Sequence, residues 1–201
     1  MRFNGLRWLP LLSVSIAAGF GADNDRPKFE VQPAASYPHH QTSEKVTVAA
    51  QVLQTDAETH DAFGKLNPNR YGILPVLIVV QNNGPDAIKV DGARVEYTMP
   101  DGQRIEATAA QDVKYLRGAK APNALPVDIH IHKKPKNPLD VWEIEGRAFS
   151  AKMIPAGQSA SGFVYFQVNA PSAAATVALA GLTDPVTGKE LYYFEIPMSG
   201  K

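Results

Sequence analysis

His130 and His132 come nearest, by type and spacing, to doing chemistry. They stand in Val127-Asp128-Ile129-His130-Ile131-His132-Lys133-Lys134, and on a strand residues two apart share one face. Both imidazoles could then reach one copper or zinc ion. Two histidines are only part of a tetrahedral site, so a further ligand would have to come from His39, His40, His60 or a carboxylate. The competing reading is a polar edge on which Lys133, Lys134 and Lys136 discourage pairing with another sheet. The same cluster, His130–Lys136, could attract an acidic glycan or a lipid headgroup, or it is a solvated loop interrupted by Pro135.

Gly157-Gln158-Ser159-Ala160-Ser161-Gly162 imitates two motifs and meets neither. A nucleophile elbow needs glycine two residues after its serine, and Ser161 follows Ser159 there. The glycine spacing fits a phosphate loop, but Phe163 occupies the position of the essential lysine. A turn between strands accounts for the stretch. Asp86 and Asp91, near Asn82 and Asn83, offer loop oxygens without the order of a calcium loop. Tyr165, Tyr192, Tyr193 and Phe194 read as core and interface aromatics. Tyr192-Tyr193-Phe194 must place rings on both faces of a strand, which leaves one as a contact site. Adjacent His39 and His40 read as solvated. With no glutamate pair, triad or cofactor fingerprint, the sequence assigns no catalytic residue, no cofactor and no metal.

Composition narrows the classes further. Twenty basic and twenty acidic residues cancel, so no charge excess steers the chain to nucleic acid or an anionic membrane. Cysteine is absent, which removes disulfides, thiolate metal sites, thiol catalysis and a lipid-modified cysteine. Apolar content of 44% and charged content of 20% are globular values, and 16 prolines with 15 glycines favour short strands joined by turns.

The start of the chain reads as a signal peptide. Arg2 and Arg7 precede a mostly apolar core, Trp8–Phe20, shorter than the ~20 residues that span a bilayer. Cleavage is placed after Gly19 or Ala22. Cleavage after Ala22 leaves 18 basic and 20 acidic residues, a net charge of −2. The expected organisation is therefore a signal peptide over 1–22, an extended arm or linker over 23–43, and one domain over 44–201. An irregular insertion at 117–149 interrupts that domain. The protein is expected to be exported, periplasmic or extracellular, with no membrane span once the signal is removed.

The remaining elements follow from periodicity. Gly72–Pro85 carries the uncharged run Ile73–Val80 and ends in the Asn83-Gly84-Pro85 turn, which predicts a central strand buried on both flanks. Pro75 lacks an N–H and belongs at a strand start, a bulge or an edge. Glu44–Gln54 alternates as a half-buried strand, with Lys45, Thr47, Ala49 and Gln51 on the outer side. Asp56 is expected to cap a helix that turns Ala57, Ala62, Phe63 and Leu66 inward. Strands follow at Ala87–Val90, Ala93–Met99 and Arg104–Ala107, the last two joined by the hairpin turn Pro100-Asp101-Gly102-Gln103. Helices are expected at Ala109–Leu116 and Leu139–Phe149, and further strands at Met153–Ile154, Gly162–Val168, Ala173–Leu182 and Lys189–Met198. About eight strands and two or three short helices result.

Two pieces of this pattern resemble the immunoglobulin-like β-sandwich domains of exported bacterial proteins of unknown role. One is the apolar strand running into Asn-Asn-Gly, Val76–Gly84. The other is a Pro-x-Gly-x-Ser-x-x-Gly-aromatic-x-x-Phe-x-Val sequence, formed by Pro155, Gly157, Ser159, Gly162, Phe163, Phe166 and Val168. The likeness covers roughly the last two-thirds of the chain. It implies an antiparallel immunoglobulin-like sandwich in which Gly162–Val168 packs across from the first strand, and a role in adhesion, recognition or structure without catalysis. The insertion at Arg117–Phe149 and the missing disulfide depart from it. The reading is an exported, non-enzymatic binding or structural protein of the cell envelope, with a protein or envelope component as partner. The alternative is a periplasmic copper or zinc protein using His130 and His132; an enzyme assembled from scattered residues ranks last. The metal alternative expects copper or zinc binding that is lost when both histidines become alanine. Unchanged binding by that variant, read by titration and elemental analysis, would remove it.

Overall fold

The computed structural model describes residues 29–113, 141–168 and 171–199. In chain order the strands are β1 (His40–Ser43), β2 (Val46–Val52), β3 (Ile73–Asn82), β4 (Ile88–Lys89), β5 (Arg94–Thr98), β6 (Arg104–Glu106), β7 (Met153–Ile154), β8 (Ser159–Gln167), β9 (Thr176–Thr183) and β10 (Glu190–Pro197). Two α-helices, α1 (Asp56–Phe63) and α2 (Val141–Glu145), join three short 3₁₀ turns. The strands form two antiparallel sheets, β1-β2-β3-β8 and β6-β5-β9-β4-β7 with β10 also on β9. The molecule is an antiparallel β-sandwich.

The central strand is where the sequence places it, between β2 and β8, and it is buried along both faces. Leu74, Val76, Ile78 and Val80 point into the core between the sheets, with Val95, Tyr97, Val177, Leu179, Phe166 and Phe194. Ile73, Leu77 and Val79 point the other way, into a second core with Ala34, Tyr37, Phe63, Ile144, Phe163 and Tyr165. That outer core also explains why Thr47 and Ala49, expected on a solvated side, are buried. The segment expected as an extended arm or linker supplies part of the cover. Its Ala34 and Tyr37 are buried, and its last residues form β1, paired to β2 from His40↔Ala49 to Ser43↔Val46.

Several local expectations need correction. Gly162–Val168 does not pack across from the central strand but lies beside it in the same sheet, Ile78 opposite Gly162. The strand across the core from β3 belongs instead to the sheet that holds Arg94–Thr98. Thr55, not Asp56, caps α1, because a threonine hydroxyl there receives the Glu58 N–H while the Glu58 carboxylate receives the Thr55 N–H. Thr59, Ala62 and Phe63 are the buried residues of that helix, and Ala57 is exposed. In the described part of Ala109–Leu116, Ala110–Asp112 turns as a 3₁₀ helix and Val113 is already extended, while residues 114–116 lie outside the described residues. Of the described part of Leu139–Phe149, which begins at Val141, α2 takes Val141–Glu145. Gly146 then ends the helix, and Phe149 runs extended, its N–H donating to Phe163 O at 2.9 Å.

Two details show how backbone constraints were met. Pro75 carries no N–H, and its carbonyl faces β2, where it accepts from Leu53 N at 3.1 Å. A proton on Pro75 N would point at Leu53 O; the Asn69 side chain supplies one there instead, at 2.9 Å. Gly162 has no room for a side chain, since a Cβ would sit 2.4 Å from the Phe149 Cα. Any larger residue would push the Ala148–Phe149 segment off the edge of β8.

The two sheets are joined at one end by Asn82, which is 1% exposed. Its amide N–H groups donate to Asp86 O at 2.8 Å, Pro155 O at 3.1 Å and Ile154 O at 3.2 Å, and its Oδ1 accepts from Gly84 N at 3.0 Å. Tyr97 and Tyr165 are further bolts. The Tyr97 hydroxyl donates to Ser172 O and accepts from Ser172 N, and the Tyr165 hydroxyl donates to Ile144 O at 2.7 Å. Burial pushes both hydroxyls above the usual tyrosine range; for Tyr165 the Arg147 cation opposes the shift and the Glu143 carboxylate adds to it.

Asn82→Ala leaves buried carbonyls without donors and is expected to lower stability by about 3 kcal/mol. Denaturant unfolding measures this, and a loss near zero would show that water replaces the amide at no cost. Because Tyr97 and Tyr165 titrate higher in the folded state, their contribution is intact below about pH 10 and is lost as pH rises through their folded-state pKa values. Absorbance and circular dichroism followed together are expected to show these two ionising only as the fold is lost. Ionisation of all seven tyrosines with the circular dichroism unchanged would contradict their role.

Candidate functional site

The residues singled out for chemistry lie apart from one another. His130, His132, Lys133, Lys134 and Lys136 lie outside the described residues. His40 is tied to Tyr37 O through Nδ1 at 2.6 Å, and His60 lies exposed on α1 beside Asp61. Among the described residues no three of His, Asp and Glu converge as a metal site. Gly157, at φ 72°, makes the turn between β7 and β8. Ser159 and Ser161 then border a shallow groove of about 340 Å³, lined with Gln32, Gln81 and Gln158 and with no histidine or carboxylate to act as base. Asn82 is the bolt described above, and Asp91 pairs with Lys89 at 3.6 Å.

A larger cleft of about 630 Å³ opens between the β5/β6 and β8 edges. Val90, Val95, Phe149 and Val164 form its walls, and Arg94 and Lys152 stand at its rim. Its apolar walls are the margin of the core, and Asp91, Glu106, Thr108 and Ser150 are among its polar lining.

The aromatic triplet behaves as its alternation requires. Phe194 is fully buried, Tyr193 is 53% exposed, and Tyr192 is partly covered with its hydroxyl on Glu44 at 3.1 Å. Tyr193 stands over the outer face of the second sheet, and cross-strand register sets what surrounds it. Glu106 pairs with Glu96, Glu96 with Ala178, and Ala178 with Glu195. Directly paired residues point to the same side, so three carboxylates share one rung across four strands, with only the Ala178 methyl between two of them. Ala180, on the next outward position, pairs with Arg94.

These residues line a depression of about 430 Å³, floored by Ala178 and Ala180 and walled by Tyr193 on one side and by Arg94, Glu96, Arg104 and Glu106 on the other. Like charges facing each other on a rung cost stability. Arg104 relieves Glu96 at 3.8 Å, a mostly solvated pair. Arg94 makes no ion pair among the described residues. Tyr193 donates to Glu195 Oε1 at 3.3 Å. Burial pushes its hydroxyl above the usual range, the Glu195 carboxylate adds to that, and Arg104 opposes it. The result is a hollow of small residues beside an exposed ring, with acids in excess and one unpaired arginine at its margin. Such a surface suits recognition of a complementary face, since aromatic and arginine side chains are the ones enriched at interfaces. Sequence alternation could find Tyr193; the acidic rung depends on the long-range pairing of Glu96 with Ala178 and carried no signal of its own.

Among the described residues no helix is long and apolar enough to cross a membrane. No protein-family model matches the chain, and no curated protein does. Among solved structures, it is similar to a candidate lipoprotein of Bacillus subtilis, the ycdA product, at 16% identity and a TM-score of 0.41 over 81% of this chain. This chain spans 39% of that protein's length. It is similar also to a functionally unknown protein of Listeria monocytogenes, at 12% identity and a TM-score of 0.37, over 81% of this chain and 82% of the other. Likenesses of this size carry no argument about activity.

Proposed function

We propose that this is an exported, non-enzymatic β-sandwich protein of the cell envelope that binds a protein partner through the outer face of its second sheet. The observation that carries the reading is the Tyr193 hollow: an exposed ring beside an alanine floor, with opposed carboxylates of which Arg104 engages only Glu96. Export rests on the signal-peptide pattern of Arg2, Arg7 and Trp8–Phe20. The immunoglobulin-like part of the reading is supported by the contact between the two motif pieces, since Asn82 of the first bonds to Ile154 O and Pro155 O at the start of the second. The non-enzymatic part of the reading takes Ser159 and Ser161 as residues of the strand β8 that follows the Gly157 turn.

A photoreactive phenylalanine analogue at Tyr193, irradiated in intact cells, is expected to give a discrete protein adduct. Arg94→Glu in the same protein should reduce that adduct at least about tenfold. An adduct pattern no different from that of the same probe at Lys152, at the rim of the other cleft, would end the reading.

A further inference from the structure

The cleft beside Phe149 is a gap in the wall of the sandwich, and strand pairing explains it. β4 and β5 follow one another along a single edge of β9, with Lys89 opposite Thr183 and Arg94 opposite Ala180. Gly181, at φ 82°, lets the chains touch between those pairs, where a Cβ would sit 2.5 Å from Gly92 O. The edge of β4 away from β9 pairs with β7, and that pairing ends at Lys152 O, which accepts from Val90 N at 2.9 Å. The same edge of β5 pairs with β6, up to Ala107 N donating to Val95 O at 2.9 Å. Between these ends, over residues 92–94, no strand among the described residues pairs with the edge. Both flanking chains run on to β8, where Thr108 N donates to Tyr165 O at 2.7 Å and Phe149 N to Phe163 O at 2.9 Å. Residues 91–95, 107–111, 148–152 and 163–165 thus frame one opening onto the core.

Its volume of about 630 Å³ falls in the ~300–1,000 Å³ range of small-molecule pockets, which are mostly apolar with a few placed polar groups. Phe149, Ala151 and Val164 are partly exposed apolar walls. The charges of the lining are unequal. Asp91 is engaged by Lys89 at 3.6 Å, whereas Arg94 and Lys152 make no ion pair among the described residues. Two cations therefore stand against one carboxylate, Glu106, which is set opposite Glu96. An apolar chain with one negative end answers both the walls and the rim; a neutral end answers the walls alone, and a cationic end is repelled. We propose that this cleft binds a single-chain anionic amphiphile, a long-chain carboxylate, with its chain on Phe149 and Val164 and its head on Arg94 and Lys152. Arg94 also borders the Tyr193 hollow, so Lys152 and Ala151 are the residues that tell this site from that one.

Isothermal titration calorimetry of the full chain with dodecanoate, held below its micelle concentration, tests this. A single equivalent is expected to bind, and to bind more weakly as salt is raised. Dodecyltrimethylammonium, with the same chain and the opposite charge, should bind at least about tenfold more weakly. Lys152→Glu reverses a charge at an exposed position and should weaken dodecanoate at least about tenfold. Ala151→Trp fills the cleft while leaving its charges in place and should abolish binding, with unchanged circular dichroism confirming that it folds. Tyr193→Ala, on the other hollow, is expected to leave dodecanoate binding as it is. No heat with dodecanoate, equal binding of the two amphiphiles, or indifference to Lys152→Glu would each overturn the proposal. Binding that Tyr193→Ala removes would place the amphiphile on the other hollow and overturn this site.

Discussion

Asn82 holds two of the three places where the described chain passes between the sheets. After β3 the chain crosses to the second sheet through Asn83–Ala87, and after β7 it returns to the first through Pro155–Gln158. One side chain donates to a carbonyl in the first crossing and to two at the second. Its own backbone N–H donates to Gln158 O at 2.9 Å. An asparagine suits the place because three acceptors converge on its NH₂ and one donor on its oxygen, an arrangement that a carboxylate or an alkyl chain cannot answer. A buried amide left unpaired would cost a large share of a domain's net stability, which is only about 5–15 kcal/mol. The relative slide of the two sheets is thereby fixed at this end, and with it the pairing of β4 with β7 and the entry of β8.

The apolar strand that ends in Asn82 was legible because it is covered twice. A strand buried on one face alternates; Ile73–Val80 does not, since the sandwich core takes one side and the arm, α1 and α2 take the other. The same double cover misled the reading of β2. Thr47 and Ala49 have the small, polar-tolerant look of a solvated side, and nothing in the stretch says that Tyr37 and the α1 layer will lie over it. Helix expectations failed where they rested on three apolar residues at helical spacing. Phe149 carries that spacing but is held extended at the edge of β8, where its N–H donates to Phe163 O, and Val113 closes the short 3₁₀ turn, its N–H on Ala110 O at 3.3 Å. Tertiary pairing outweighed a local preference worth tenths of a kcal/mol per residue.

The candidate site was legible only in part, for a reason of the same kind. Tyr193 could be found because alternation within one strand decides which face a ring takes. Glu96, Glu106 and Glu195 look unremarkable where they stand, as outward residues of strands with buried neighbours. They become a site through the registers Glu96↔Glu106, Glu96↔Ala178 and Glu195↔Ala178, and those registers are set by the hairpin turn at Asp101-Gly102 and by the irregularities of β10 around Tyr192. Arg94 gained its meaning from having no ion-pair partner among the described residues, which only coordinates reveal.

The architecture leaves few surfaces on which another chain could lie. The outer face of the first sheet is occupied by the arm and the helices. Part of the free edge of β8 is taken by Thr108 and Phe149. On the opposite side, β1 and β10 are stitched together by Gln41, whose Oε1 accepts from Glu195 N at 2.7 Å, and by the Tyr192–Glu44 bond. Edge strands treated in this way resist adding a further strand. Among the described residues the outer face of β6-β5-β9-β10 is the broad strand surface with no layer over it, and on it the sequence places alanines beneath long charged side chains rather than an even polar cover. A face meant only for solvent would gain from spacing its like charges apart. This one sets Glu96 against Glu106 and leaves Arg94 without an ion pair among the described residues, an arrangement that lowers the stability of the isolated chain slightly and that a complementary surface would relieve.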